Sequence, residues 1–300
     1  MPRILVTGAH GQVGKALQQA ASQWPSFTFL YTDRDTLDIT DAQAVKTYFA
    51  NHAITHVINC AAYTAVDKAE TDVDLAQKIN VTAPEILAKA CVQKKARMIH
   101  ISSDYVYHNS LDRPLLESDP TDPQSVYAQT KLDGDVAVLA VHGHNIILRT
   151  SWVYGQHGHN FVKTMMRLGA ERDALSVVFD QIGTPTYTRD LADALLHIVA
   201  ADSNGRVDKH ELGGVYHYAN EGVTSWYDFA HAIFELADID CKLSPIRSAA
   251  YPTPAARPTY SVLDKNRFKA TFGMEIPHWR DSLKHCLAAL VENETLLTHT

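Results

Sequence analysis

Arg3-Ile4-Leu5-Val6-Thr7-Gly8-Ala9-His10-Gly11-Gln12-Val13-Gly14-Lys15-Ala16-Leu17 reads as a short apolar strand, a glycine turn and the start of a helix. Glycines three apart at such a junction have separate duties. Gly8 permits the tight turn, Gly11 lets the backbone approach a pyrophosphate, and Gly14 lets helix and strand pack closely. The helix N-terminus adds free N–H groups and the positive end of the dipole. A glycine trio by itself marks only a turn, but here it lies in the first strand–helix unit, the context that a dinucleotide cradle requires. Gly8, His10, Gly11, Gln12, Val13 and Gly14 are therefore expected to bind a nicotinamide dinucleotide.

Outward from this turn, short apolar runs recur at Ile4–Thr7, Phe27–Tyr31, His56–Cys60, Met98–Ser102 and Ile146–Thr150. Helical patterns at Gln12–Ser22, Ala42–Asn51, Leu75–Lys94 and Ser125–Val141 separate them, with Thr40 or Asp41 capping the second. Repeated strand–helix–strand units predict a doubly wound, Rossmann-type parallel sheet over residues 1–150. Beyond it, prolines and glycines punctuate helical patterns at Phe161–Ala170, Arg189–Ala201, Ser225–Ala237 and Trp279–Glu292. Residues 151–300 are expected to form mainly a smaller α/β substrate lobe, with about 188–201 returning to the first domain.

Composition excludes several classes. A hydrophobic share of 46% and a charged share of 20% fit an ordinary globular chain. The net charge of -7 comes without basic runs, so no nucleic-acid partner is expected. No apolar run reaches membrane-spanning length, and no leader is expected before the first strand. Cys60, Cys91, Cys241 and Cys286 form no C-x-x-C pair, which suits a reducing cytoplasm. None of the sixteen histidines lies in H-E-x-x-H, so no metal site is expected.

After the second strand comes Asp33-Arg34. An acid about 20 residues past the glycines can bond ribose hydroxyls, whereas an arginine beside it can pair a 2′-phosphate. NADH and NADPH both remain open at this point. Tyr127 and Lys131 are four apart on a predicted helix and so share a face. A neighbouring ammonium is expected to favour the phenolate and lower the phenol's titration. The same lysine can bind the nicotinamide ribose, while Tyr127 protonates a carbonyl oxygen as hydride arrives at carbon. Ser103 directly follows the apolar run Met98–Ser102, at the strand end where open parallel sheets bind ligands, and can donate to that oxygen.

With these residues the chain resembles the extended short-chain dehydrogenases, and within them the dTDP-4-dehydrorhamnose reductase family. The likeness covers nearly the whole chain. It rests on Gly8–Gly14, Leu37-Asp38-Ile39-Thr40-Asp41, the block Asn59–Glu70, Ser103-Asp104-Tyr105-Val106-Tyr107, Tyr127 with Lys131, and Arg149–Gly155. Late matches are Asn160-Phe161, Gly183–Thr186, Tyr251–Ala255 and Arg257-Pro258. The resemblance implies NAD(P)H-dependent reduction of a dTDP-linked 4-keto-6-deoxy sugar. It places Asp38 and Ile39 beside the adenine, Ala61, Ala62 and Tyr63 beside the cofactor, and Asn80 as a support of the catalytic region. It places Ser103, Asp104, Tyr105 and Trp152 against the sugar and Arg257 on the pyrophosphate. Some relatives are described as magnesium-bridged dimers through glutamates. The matching positions here are Ala16 and Arg189, neither an oxygen ligand, which argues against a metal-linked dimer and leaves homodimerisation open.

Two other readings share this pattern. One is a nucleotide-sugar dehydratase or epimerase; the dehydratases carry Thr-Asp-Glu where this chain has Ser103-Asp104-Tyr105. The other is a non-catalytic NADP-binding regulator like the beta subunit of methionine adenosyltransferase.

Overall fold

A computed structural model describes residues 1–108, 113–205, 207 and 212–298, with side chains described to residue 292. Its centre is a six-stranded sheet. The first five strands are β1 Arg3–Thr7, β2 Thr28–Thr32, β3 His56–Asn59, β4 Arg97–Ser103 and β5 Ile146–Thr150. The sixth is Gly214–His217, and the order across the sheet is sixth-β5-β4-β3-β1-β2, parallel throughout. Every residue of β3 and β5 is buried, as expected for strands covered on both faces. The chain reverses direction across the sheet at β1 and β3, so a crevice opens beyond their carboxyl ends.

Helices cover both faces. Gln12–Ala20 and Thr188–Asn204 pack on one, where Ile4, Val6, Leu17, Leu191 and Leu195 share a core. On the other face Val57, Leu87, Met98, Val138 and Ile147 share a second core. Asp41 caps Ala42–Asn51, accepting from the N–H groups of Gln43 at 2.8 Å and Ala44 at 3.1 Å.

Residues past 150 build a separate apolar cluster around Val162, Phe229, Ile233, Trp279 and Leu283. They also rejoin the sheet, through Thr188–Asn204, the strand Gly214–His217, and Phe268 and Ile276 in the first core. The two later returns had no counterpart in the sequence reading.

The expected continuous helix Leu75–Lys94 is broken into Val73–Gln77, a wide π-turn at Lys78–Thr82, and Ala83–Lys94. Pro84 has no N–H to give the carbonyl of Asn80 four residues earlier, so a regular α-turn cannot close there. That carbonyl instead abuts Gly134, where a Cβ would come within 2.1 Å of it.

Candidate active site

The strand ends open into a cavity of about 910 Å³, ample for a dinucleotide and a second ligand to approach each other. Its wall includes Gly8, His10, Gly11, Gln12, Val13 and Gly14, then Asp33, Arg34, Asp38 and Ile39, then Ala61 and Ala62. Ser103, Asp104, Tyr105, Tyr127, Lys131 and Trp152 complete the expected set within the same wall.

The glycine turn fits a phosphate by its shape. Gly8 has φ +65, and a Cβ there would lie 2.8 Å from the backbone nitrogen of Ala61. A Cβ at Gly14 would lie 2.4 Å from the carbonyl oxygen of Gly8. Gly11 begins the helix without a side-chain cap, leaving that helix end open to an anion.

Asp33 is more committed than the sequence suggested. Its Oδ1 accepts from the N–H groups of Asp35 at 3.0 Å and Thr36 at 3.1 Å, and its Oδ2 meets His10 Nδ1 at 2.8 Å. Asp38 accepts from the Thr40 hydroxyl and N–H, which hold its carboxyl below the usual range, helped by Lys78 and Arg34.

On the helix Val126–Val141, capped by Ser125 on the Ala128 N–H, Tyr127 and Lys131 are both buried. Burial pushes the Tyr127 phenol up to about 12, against a hydrogen bond with Ser103. Burial brings the Lys131 ammonium down to about 8, with Asp135 opposing the change. The expected lowering of Tyr127 by Lys131 is not found: burial raises the phenol and the opposing influence is Ser103. Lys131 Nζ donates to the Ile101 carbonyl at 2.8 Å and meets His100 Nε2 at 3.3 Å, so its contacts lie along β4. The phenol is held in its protonated form, the form an acid needs.

Ser103 Oγ donates to Asp104 Oδ1 at 3.1 Å. Asp104 is buried, and its carboxyl is raised to about 6 by burial against bonds from Ser261 and Ser103. Its Oδ2 has no protein partner, so a polar oxygen on the cavity wall is left for a ligand or water. Trp152 has φ +47 and stacks on Trp226 with ring centroids 3.6 Å apart.

Tyr63, Asn80 and Arg257 stand outside the cavity wall. Asn80 is fully buried in the π-turn; its Oδ1 accepts from the Tyr63 N–H at 2.8 Å, and its Nδ2 donates to Thr130 Oγ1 at 3.1 Å. It ties the end of β3 to the helix bearing Tyr127. Arg257 lays its fork on Asp67, at 3.1 Å and 2.8 Å, instead of pointing into the cavity.

Residues 2–292 match the family model for the RmlD substrate binding domain. Dehydrorhamnose reductases are close in sequence. That of Aggregatibacter actinomycetemcomitans is 39% identical, over 96% of this chain and 99% of its own. That of Mycolicibacterium smegmatis is 44% identical, over 96% and 86%. The chain belongs to the dTDP-4-dehydrorhamnose reductase family. The solved structure of a dTDP-4-dehydrorhamnose reductase from Clostridium acetobutylicum superposes with a TM-score of 0.90 at 42% identity, covering 96% of this chain and 99% of that one.

Among the residues that this family member brings to its cavity, the sequence reading missed Thr150, Trp226, Lys78 and His159. Trp226 opens a helix in the second half, and nothing local in Ser225-Trp226-Tyr227 signals a stack on Trp152. Thr150 closes β5 and could have been found by the strand-end rule that singled out Ser103.

Proposed function

We propose that this chain reduces the 4-keto group of dTDP-4-dehydro-6-deoxy-L-mannose (dTDP-4-dehydro-L-rhamnose) to give dTDP-L-rhamnose, using NADPH or NADH. The observation that carries the reading is one cavity holding the glycine cradle, Ser103, Tyr127 and Lys131 in a chain of this family. The nicotinamide cofactor, when bound, supplies the hydride. Gly8 to Gly14 take its pyrophosphate, and Asp33, Arg34, Asp38 and Ile39 its adenosine end. Ala61 and Ala62 line its path, and Asn80 fixes the backbone of Tyr63 just behind them. A Bacillus anthracis member, solved in complex with NADP, superposes with a TM-score of 0.86 at 35% identity, covering 96% of this chain and 100% of that one.

Ser103 donates to the substrate carbonyl oxygen, and Tyr127 delivers the proton that this oxygen needs. Lys131 faces the ribose and replenishes the proton. Asp104 and Tyr105 bond the sugar and Trp152 sets its plane. Arg257 is the cation for the nucleotide's diphosphate, whose oxygens compete with Asp67 for a planar fork that suits both. The nucleotide then anchors remotely and positions the keto carbon. Four free cysteines suit a reducing compartment such as the cytoplasm. No described helix is long and apolar enough to cross a membrane.

The test is the purified protein with this dTDP-4-keto sugar and each cofactor, following nicotinamide oxidation and isolating the product. Stoichiometric dTDP-L-rhamnose is expected. Cofactor retained through purification, with epimerised sugar and no net oxidation, would point to an epimerase; inertness with tight partner binding would point to a regulator. A second sugar is worth including. A relative from Streptomyces antibioticus, 38% identical over 97% of this chain and 97% of its own, carries the name probable dTDP-4,6-dihydroxy-2-methyloxan-3-one 4-ketoreductase.

A further inference from the structure

Residues 155–160, just before the helix Phe161–Glu171, come down on the glycine cradle. Asn160 Nδ2 donates to Gln12 Oε1 at 3.0 Å, across 148 positions of sequence, and to the Gly155 carbonyl at 2.8 Å. Its Oδ1 accepts from the Lys163 N–H at 3.1 Å and so caps the helix. These backbone partners fix the amide, because a carbonyl only accepts and an N–H only donates. Gln12 must then turn its oxygen towards Asn160.

Gly158 makes the approach close. It has φ +67, and a Cβ there would lie 3.0 Å from Gln12 Cγ. A side chain would strain the backbone and press on Gln12, so glycine is what permits the contact. Gln12 is the first residue of the helix Gln12–Ala20, whose uncapped N-terminus suits the phosphates of a dinucleotide. The residue after Gly158 is His159, which lies in the cavity wall with Gly11, Gln12 and Val13.

His159 is exposed, and among the described residues it makes no hydrogen bond, ion pair or ring contact. The other imidazole of that wall, His10, is already taken by Asp33 at 2.8 Å. Cations gather at the turn. Lys163 Nζ donates to the Gln156 carbonyl at 3.3 Å, and, after burial, Lys15 and Lys163 together hold the His157 ring below the ordinary histidine value. A local field of that sign favours an anion.

We propose that His159 is a binding residue for the diphosphate of the nicotinamide cofactor, carried over the helix N-terminus by the turn of residues 158–160. The assignment deepens the reductase reading above and rests on it. The phosphates are then held from two sides, by the N–H groups of the glycine cradle and by a ring N–H from across the cavity. Trp152, Gly158 and His159 all line that cavity, so the stretch that closes on the cofactor runs on directly from the residue set against the sugar. A second diphosphate, that of dTDP, enters the same cavity, and the experiment separates the two.

Calorimetry with NADH, NADPH, ADP-ribose and dTDP compares the parent with His159→Gln and His159→Lys. The site is exposed, so both variants should fold, with thermal unfolding as the control. His159→Gln should weaken NADH, NADPH and ADP-ribose alike, by about tenfold, the lower end for a charge-assisted bond. His159→Lys keeps a cation and should stay within about threefold of the parent. Binding of dTDP should not change. Arg34→Ala, by contrast, should separate NADPH from NADH. Unchanged cofactor affinity in His159→Gln would overturn the assignment. So would a loss confined to NADPH, which would put the contact on the 2′-phosphate, or one spared in ADP-ribose, which would put it on the nicotinamide. A loss for dTDP alone would give the histidine to the sugar nucleotide instead. Gly158→Ala should also weaken both cofactors by lifting the turn off Gln12, and His159→Gln should then cost less than it does in the parent; full additivity would refute the part given to the turn. If Gly158→Ala does not fold, the two His159 variants still decide the matter. A chain that binds the cofactors as stated but reduces no sugar would refute the proposed function and leave this assignment standing.

Discussion

Gly183→Ala adds one methyl group against Trp152 of the cavity wall and the nearby Ser261. Gly183 is buried in the short strand Ile182–Gly183, and a Cβ there would lie 2.7 and 2.8 Å from Trp152 ring carbons and 2.9 Å from Ser261 Oγ. Carbon atoms pack best at about 3.5–4.0 Å, so the indole must retreat by about 0.7 Å or more. It has little freedom to do so. Its ring is stacked on Trp226 at 3.6 Å and 10°, and its backbone is held at φ +47, a costly conformation for a bulky residue. Ser261 is constrained too, because it bonds Asp104. Overpacking of this kind costs about 1–3 kcal/mol. At about 2–4 °C per kcal/mol for a chain of this order of size, thermal unfolding should fall by about 2–12 °C. The functional signature is selective: NADPH affinity should stay near the parent's, while KM for the dTDP-sugar rises and kcat falls with the displaced Trp152. Calorimetry with NADPH and steady-state kinetics with the sugar separate the two. Parental melting together with parental KM would refute both the packing argument and the placement of Trp152 against the sugar.

Tyr127→Phe should retain fold and cofactor affinity while turnover falls by about 10²–10⁴-fold, the usual contribution of a positioned acid; near-normal turnover at saturating substrate would remove it from the mechanism. Arg34→Ala should weaken NADPH by roughly 1.5–3 kcal/mol and NADH little, as expected for loss of a charge-assisted contact, and equal losses would mean that Arg34 does not touch the 2′-phosphate. Arg257→Ala should weaken dTDP by about 1–3 kcal/mol in calorimetry without changing NADPH binding; unchanged dTDP affinity would move the diphosphate site elsewhere. Acid stability should depend on Asp202. Burial alone would raise its carboxyl, but bonds from His56 at 3.0 Å and Arg97 at 2.9 Å bring it from 3.8 down to about 2. A depressed acid stabilises the fold above its unfolded value and loses that contribution as pH falls through the folded one, here between about 4 and 2, at about 1–2 kcal/mol. Asp202→Asn should flatten the pH dependence of chemical denaturation in that window; an unchanged slope would show that the network is not coupled to folding.

How much of this was legible depended on whether the signal was local. β1, its glycine turn and the helix behind it are contiguous, and short-range rules describe them. The same holds for Tyr127 and Lys131, which helical spacing alone puts on one face. The strand Gly214–His217 was not legible, because its partner β5 lies 68 residues earlier, with Gly214 beside Ile146, and its sequence Gly-Val-Tyr-His carries little β pattern of its own. The π-turn at Lys78–Thr82 was missed for a different reason: Pro84, well inside the expected helix Leu75–Lys94, was the local sign of a break, but apolar spacing alone does not tell a kink from a stop or a π-turn.

The electrostatics show where residue type alone misleads. Tyr four before Lys suggests an ammonium that lowers a phenol. In the folded chain burial acts on both groups first, raising Tyr127 to about 12 and lowering Lys131 to about 8. These two opposite shifts suit a reduction better than the expected phenolate. The phenol arrives protonated, and the amine nearby can lose a proton near neutral pH instead of remaining a permanent cation. Neither shift can be read from the pentapeptide, since both come first from burial against the sheet, opposed at Tyr127 by Ser103 of β4 and at Lys131 by Asp135 one turn further along the helix. The Tyr127–Lys131 pair is therefore written in the local sequence, while its proton affinities belong to the sheet on which it is packed.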